Sequence, residues 1–120
     1  MIANQIDIDI INNYSTYDIF ILIDNQSVFE LECFDLQINF NSLFDLLTKL
    51  EKDIVSEPIF FELTDYCCNP VILKISPYPP FDWIVLNIPD QNDKRKFFID
   101  RQQFCYAIKI AVEKFTYLMY

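Results

Sequence analysis

The chain has 120 residues and a formal charge of −9, from 18 carboxylates against nine Lys and Arg, and it contains neither His nor Gly. Without His the usual general base near neutral pH is missing, and without Gly the phosphate-binding loops and nucleophile elbows that need close backbone approach are excluded. The negative charge disfavours nucleic acids and anionic membranes as partners, because proteins bind both through Lys and Arg.

The size and apolar content predict one globular domain spanning residues 1–120. Hydrophobic residues make up 52% of the chain, and a chain of this length buries roughly two-thirds of its unfolded surface on folding. Asp7 and Asp9 interrupt any apolar run of a signal peptide. The longest uncharged apolar run, residues 19–23, is far too short to cross a bilayer. These features predict a cytoplasmic protein.

The charge is unevenly distributed along the chain. Residues 1–48 contain eight carboxylates and no Lys or Arg, and residues 49–93 contain three Lys against eight carboxylates. Residues 94–120 reverse the balance, with six Lys and Arg against two carboxylates. Because self-repulsion does not help folding, an acidic half indicates either a solubility device or a basic protein partner. Electrostatic steering of association favours the basic partner.

Three strands are predicted in the first third of the chain. Residues 5–11 alternate apolar and acidic side chains, which is typical of a half-buried strand. Residues 17–24 and 27–34 form a predicted hairpin. The strand over 17–24 is apolar on both faces, so we expect it to lie in the interior of the sheet.

Two registers are open for this hairpin. A two-residue loop pairs Ile21 with Glu30, whereas a three-residue loop pairs Leu22 with Glu30. The loop sequence Asn-Gln lacks the glycine that would decide between them.

A helix is predicted over residues 42–54. Asn41 or Ser42 would cap it, with Asp45 in the capping-box position after Ser42, and Pro58 follows its end. Its apolar stripe has helical spacing and comprises Leu43, Leu46, Leu47, Leu50 and Ile54.

Four strands and a second helix are predicted in the remainder. The strands are 59–63, 71–76, 82–88 and 95–99, with a turn over 89–93. Asp100 caps the last helix and Gln103 completes the capping box, with a seam formed by Phe104, Ile108, Ala111, Phe115 and Leu118. The order βββαββββα predicts an α+β fold, with an antiparallel or mixed sheet of six to seven strands and two helices on one face.

No motif in the sequence predicts catalysis, a metal or a cofactor. The adjacent Cys67 and Cys68 cannot form an ordinary disulfide, and zinc would need CxxC-like spacing or His. Cys33 and Cys105 lie on apolar faces, so all four cysteines are expected to be reduced and structural. Carboxylates spaced i, i+2 can perform acid–base chemistry, but they occur here without a supporting base. We therefore expect a binding protein and not an enzyme.

The strand pattern predicts an acidic binding surface. If the first and third strands both flank the second, their acids share one face beside Tyr17 and Asp18. Such a field would attract a basic protein, and tyrosines would serve as anchors. The predicted partner-binding residues are Asp7, Asp9, Tyr14, Tyr17, Asp18, Glu30 and Glu32.

In size, acidity, α+β pattern and a segment Trp83–Leu86 followed by a closing amphipathic helix, the chain resembles the small cytoplasmic immunity proteins of bacterial contact-dependent and other polymorphic toxin systems. The resemblance implies one-to-one binding of a cognate toxin, often a basic nuclease domain, at or near its active site. Two alternatives remain open. One is a phage- or plasmid-encoded acidic inhibitor of a host nucleic-acid enzyme. The other is a structural subunit whose Ile19, Ile21 and Ile23 are buried in a homo-oligomer.

Overall fold

The computed structural model describes residues 2–52, 56–89 and 95–119, which form seven strands and two helices. The strands are β1 (Ile6–Asn13), β2 (Thr16–Ile23), β3 (Gln26–Cys33), β4 (Ile59–Thr64), β5 (Pro70–Pro77), β6 (Trp83–Ile88) and β7 (Arg95–Asp100). The helices are α1 (Leu36–Lys52) and α2 (Arg101–Met119). The predicted α+β class and element order are confirmed. The predicted turn over 89–93 and the helix end at Ile54 lie outside the described residues, except for Pro89.

The strands divide into two antiparallel sheets, β1-β2-β3 and β4-β5-β6-β7. The segment before β1 connects them: the Ala3 N–H donates to the Phe98 carbonyl at 2.9 Å, and Ile2 forms an isolated parallel bridge with Phe98. β2 lies between β1 and β3, as its two apolar faces predicted.

One hydrophobic core joins both sheets to the helices. α1 contacts β4, α2 contacts β1 and β7, and the two helices contact each other. Ile19, Ile21 and Ile23 are at most 3% exposed and belong to this core. They therefore do not form the oligomer interface considered from the sequence. The predicted helical stripes are buried at Leu43, Leu46, Leu47, Leu50, Phe104, Ile108, Ala111 and Phe115.

Among the residues that the structure describes, four take the left-handed backbone conformation that glycine usually supplies. Asp24 and Asn25 have φ values of 50° and 67°, which is the pattern of a type I′ hairpin turn. Tyr14 in the β1–β2 turn has φ 51°, and Cys68 in the β4–β5 loop has φ 62°. Asp and Asn tolerate this conformation, whereas Tyr and Cys do so at a steric cost.

Both predicted registers of the β2–β3 hairpin are wrong. The loop is Asp24-Asn25, one residue earlier than expected, and a β-bulge follows it. As a result Glu30 lies opposite Phe20. Asp24 is in the turn because its carboxylate accepts hydrogen bonds from the backbone N–H groups of Asn4 and Gln5, at 3.0 and 2.9 Å.

The predicted start of α1 is also wrong. The helix begins at Leu36, and its cap is Asp35, whose Oδ1 accepts hydrogen bonds from the N–H groups of Gln37 and Ile38 at 3.0 and 3.3 Å. The prediction failed because Asn39 and Asn41 disfavour a helix interior by propensity. Neither Asn41 nor Ser42 caps the helix.

Asn39 is fully buried because its side chain pairs with the backbone of β4. Its Nδ2 donates to the Thr64 carbonyl at 3.1 Å, and its Oδ1 accepts from the Thr64 N–H at 2.8 Å. Pro70 lies opposite Thr64 in the ladder and has no N–H. The Asn39 amide thus satisfies backbone groups at the outer edge of β4.

Arg101 connects three parts of the fold at the start of α2. Its Nε and one Nη donate to the two carboxylate oxygens of Asp82 at 2.6 and 3.0 Å, and its other Nη donates to the Leu50 carbonyl at 2.6 Å. The hydrogen bonds to Asp82 raise the pKa of Arg101 against the opposing effect of burial. The predicted cap of α2 is confirmed, since the Gln103 N–H donates to Asp100 Oδ1 at 3.1 Å.

Candidate partner-binding face

The outer face of the three-stranded sheet brings five of the predicted acids together. Since side chains alternate along a strand, the outward residues of β1, β2 and β3 form three rows across the sheet. We call this surface the acidic face. The first row consists of Asp7 and Leu22, the second of Asp9, Phe20 and Glu30, and the third of Ile11, Asp18 and Glu32.

Two carboxylates of the acidic face lie directly opposite each other. Asp18 on β2 pairs with Glu32 on β3, and side chains in such pairs have Cβ atoms roughly 4.5–5.5 Å apart. Like charges at this separation destabilise a sheet. The Asn13 side-chain amide donates to Asp18. In residues 2–52, 56–89 and 95–119, no ion pair involves Asp18, Glu30 or Glu32.

Asp9 differs from these acids because it is neutralised within the chain. Lys114 of α2 reaches the edge of β1 and donates to Asp9 Oδ1. This hydrogen bond, helped by the Ile10 N–H at 2.9 Å, lowers the pKa of Asp9 against the opposing effect of partial burial. Asp9 is therefore less available to a partner than its neighbours.

Most other carboxylates that the structure describes on loops and caps have structural roles. Asp65 Oδ1 accepts from the N–H groups of Cys67 and Asn69 and shapes the β4–β5 loop. Asp24, Asp35, Asp82 and Asp100 bond the backbone or Arg101 as described above. Sequence alone does not separate these acids from those of the acidic face, because the distinction depends on which hydrogen bonds form.

The two predicted tyrosine anchors lie in different surroundings. Tyr14 is fully exposed at the tip of the β1–β2 turn, next to the row that contains Asp18. Tyr17 was expected beside Asp18 on the acidic face, and this placement is wrong. Adjacent strand residues point to opposite faces, and Tyr17 lies on the inner side, where it lines a groove of about 560 Å³ with Phe34 and Leu118.

The apolar centre of the acidic face was missed by sequence reasoning. Phe20 and Leu22 are half-buried in the middle strand, and Ile11 is 45% exposed. The sequence does indicate this apolar centre, because β2 is apolar on both faces. An apolar centre with a charged rim is the usual anatomy of a protein–protein interface.

The cysteines divide into two exposed and two buried thiols. Cys67 and Cys68 are exposed in the β4–β5 loop, whereas Cys33 and Cys105 are buried, as their apolar positions predicted. Burial raises the pKa of both buried thiols, which keeps them in the unreactive protonated form.

Among the described residues, no group of three or more His, Cys, Asp or Glu side chains is placed to hold a metal ion. Neither α1 nor α2 is long and apolar enough to span a membrane.

Comparisons of the chain with protein-family models, with curated proteins and with solved structures found no significant match.

Proposed function

We propose that this chain is a cytoplasmic immunity protein that binds a basic, nuclease-type toxin domain and blocks its active site. The observation that carries the proposal is the pair Asp18 and Glu32, held opposite each other with Glu30 nearby on a face with an apolar centre. A fold gains nothing from this repulsion. A partner that presents Lys or Arg relieves it and gains charge-assisted hydrogen bonds.

In the proposed mechanism the chain blocks the active site of the toxin and catalyses no reaction itself. Nucleases hold phosphates with Lys and Arg, and the carboxylates of the acidic face would occupy those cations. Phe20 and Leu22 would form the desolvated centre of the interface, and Tyr14 would insert as an aromatic anchor at its rim. The acidic field would also speed association at low ionic strength. The mechanism requires no cofactor or metal.

The proposal is tested with two variants of identical net charge. One replaces Asp7, Asp18, Glu30 and Glu32 with Lys. The matched control replaces the exposed acids Asp45, Glu57, Glu62 and Glu113 with Lys. Each reversal adds two charges, so both variants change the formal charge from −9 to −1.

Wild type and both variants serve as bait in lysate of the native host, and each captured protein is purified and assayed for nuclease activity. We expect wild type and the control variant to capture a basic nuclease and inhibit it at one-to-one stoichiometry, and the acidic-face variant to do neither. Equal inhibition by both variants would refute the role of this face. Capture of a protein that does not cleave nucleic acids would refute the assignment of the partner as a nuclease toxin.

The two alternatives give distinct results in the same experiment. A housekeeping nucleic-acid enzyme as the captured protein would indicate a phage- or plasmid-encoded inhibitor, whereas a toxin encoded immediately upstream would support immunity. The outer face of the four-stranded sheet exposes Phe60 by 61% and Ile72 by 54%, which favours a homo-oligomeric subunit. Sedimentation that shows a concentration-dependent oligomer, with no captured partner, would support that alternative.

A further inference from the structure

We infer that the partner binds by adding a β-strand to the outer edge of β3, through a segment in which two basic residues flank an apolar one. This inference rests on the proposed function for the basic character of the partner.

β3 is an outer strand of its sheet, and no strand in the described part of the chain pairs with its second edge. The Tyr66 ring of the β4–β5 loop lies just beyond the end of β3, against Phe34, with 6.3 Å between the ring centroids. The ladder partner of β3 is β2, and the helices pack mainly against β1, β4 and β7. Among the described residues, the Ser27 hydroxyl is the one side-chain group that bonds the backbone of β3, and that contact to the Phe29 carbonyl is long, at 3.5 Å. An edge of this kind is a template for another strand.

The two hairpins determine which backbone groups point toward this edge. In a two-residue hairpin the pair flanking the loop exchanges hydrogen bonds, and such pairs alternate with non-hydrogen-bonded ones. Counting back along β2 from the Asp24-Asn25 loop, the backbone groups of Ile19 bond β3, whereas the backbone groups of Phe20 and Asp18 do not. Counting from the β1–β2 turn gives the same assignment. Glu30 and Glu32 lie opposite Phe20 and Asp18, so their N–H and C=O groups point away from β2.

The side chains of the same two residues set the chemistry of the added strand. Glu30 and Glu32 are exposed on the acidic face, so residues directly opposite them on a new strand would favour Lys or Arg. The residue between them would lie on the inner side beside Leu31, which is 5% exposed, and the half-buried Phe29. The partner's added strand is therefore expected to have the sequence pattern basic–apolar–basic.

A second copy of this chain is disfavoured as the occupant of the edge. Two β3 strands paired about a two-fold axis at Leu31 would place Glu30 opposite Glu32, and like charges directly opposite destabilise a sheet. The outer edge of β4 is a poorer site, because the Asn39 side chain already bonds Thr64 and α1 packs against that strand.

The test uses two capped peptides with the central sequence Lys-Val-Lys and equal charge. The second peptide carries N-methyl groups on the amides that would bond β3. Binding to the full chain is titrated at low salt, and amide hydrogen exchange of Glu30 and Glu32 is followed by NMR. We expect the first peptide to slow exchange at both amides at least about tenfold, and the methylated peptide to bind at least about tenfold more weakly, because its backbone hydrogen bonds are lost.

Equal affinity of the two peptides, or unchanged exchange at Glu30 and Glu32, would overturn strand addition. Two variants provide an independent check. Glu30→Gln removes the charge, whereas Glu30→Pro also removes an N–H that faces outward, a substitution that sheet edges tolerate. The Pro variant should block the peptide and the Gln variant should only weaken it. If binding of the captured toxin is lost in the acidic-face variant but neither peptide binds the edge of β3, the proposed function stands and strand addition is wrong.

Discussion

Neutralising Glu32 should stabilise the isolated chain and weaken its binding to a basic partner. Glu32→Gln keeps the shape of the side chain and removes the repulsion with Asp18 across the β2–β3 ladder. Two unit charges about 5 Å apart in water repel by about 0.8 kcal/mol. Screening at physiological ionic strength, where the Debye length is about 8 Å, leaves about 0.4 kcal/mol.

We therefore expect the free energy of unfolding of Glu32→Gln to rise by about 0.7–0.8 kcal/mol at low salt and by about 0.4 kcal/mol at physiological ionic strength. Because urea m-values are about 1–3 kcal/mol/M for small proteins, the urea midpoint should rise by a few tenths molar. Fluorescence of Trp83, the single tryptophan, reports unfolding. At about 1 M salt the Debye length falls to about 3 Å and the gain should nearly disappear.

Glu62→Gln is the matched control. Glu62 is also exposed on an outer strand, but it lies opposite Ile72 and not another acid, so its neutralisation should leave the urea midpoint unchanged. The reasoning is refuted if Glu32→Gln destabilises the chain, or if its gain is the same at low and high salt. Either result would show that Asp18 and Glu32 do not repel each other in the folded chain.

Three further changes test the scaffold by urea or acid unfolding. Asn39→Leu leaves the part-buried N–H and C=O of Thr64 unpaired and should lower the free energy of unfolding by about 2–5 kcal/mol; a loss under about 1 kcal/mol would contradict the role of the amide. Arg101→Lys cannot reproduce the bidentate contact and should cost about 2 kcal/mol; an unchanged urea midpoint would show that this contact contributes nothing. Lys114→Met removes the cation that lowers the pKa of Asp9. A carboxyl group whose pKa is lowered on folding stabilises the fold above its unfolded pKa, and this stabilisation is lost as the pH falls through the folded pKa. The free energy of unfolding of wild type should therefore exceed that of Lys114→Met near about pH 6, and the two values should converge near about pH 2. A stability difference independent of pH would contradict the pairing.

Much of the strand pattern could be predicted from sequence because period-two alternation reports directly which side chains are buried. β1 illustrates this: Ile6, Ile8 and Ile10 are buried while Asp7 and Asp9 point outward. The shared face of the acids followed from this alternation and the interior position of β2. The error at Tyr17 arose from ignoring the same rule between adjacent residues.

The remaining features depend on interactions that are distant in sequence. Asp24 lies in the turn because its carboxylate bonds the N-terminal segment, and Asn39 is tolerated inside α1 because it bonds Thr64, 25 residues away. Neither contact leaves a local signature. The division into two sheets, and the contacts of Ile2 and Ala3 with Phe98 that connect them, likewise join residues far apart in the chain.

The absence of glycine has a consequence for the unfolded chain. An average sequence of this length would contain about eight glycines, and each one replaced at a compatible position lowers the conformational entropy of the unfolded ensemble by about 0.4–1 kcal/mol at room temperature. Against this, the left-handed residues Tyr14 and Cys68 cost about 1–2 kcal/mol each. In the described part of the chain this cost falls at two loop tips, whereas the entropic gain is spread along the backbone. The chain thus folds from a comparatively stiff starting ensemble, with its local strain at the surface.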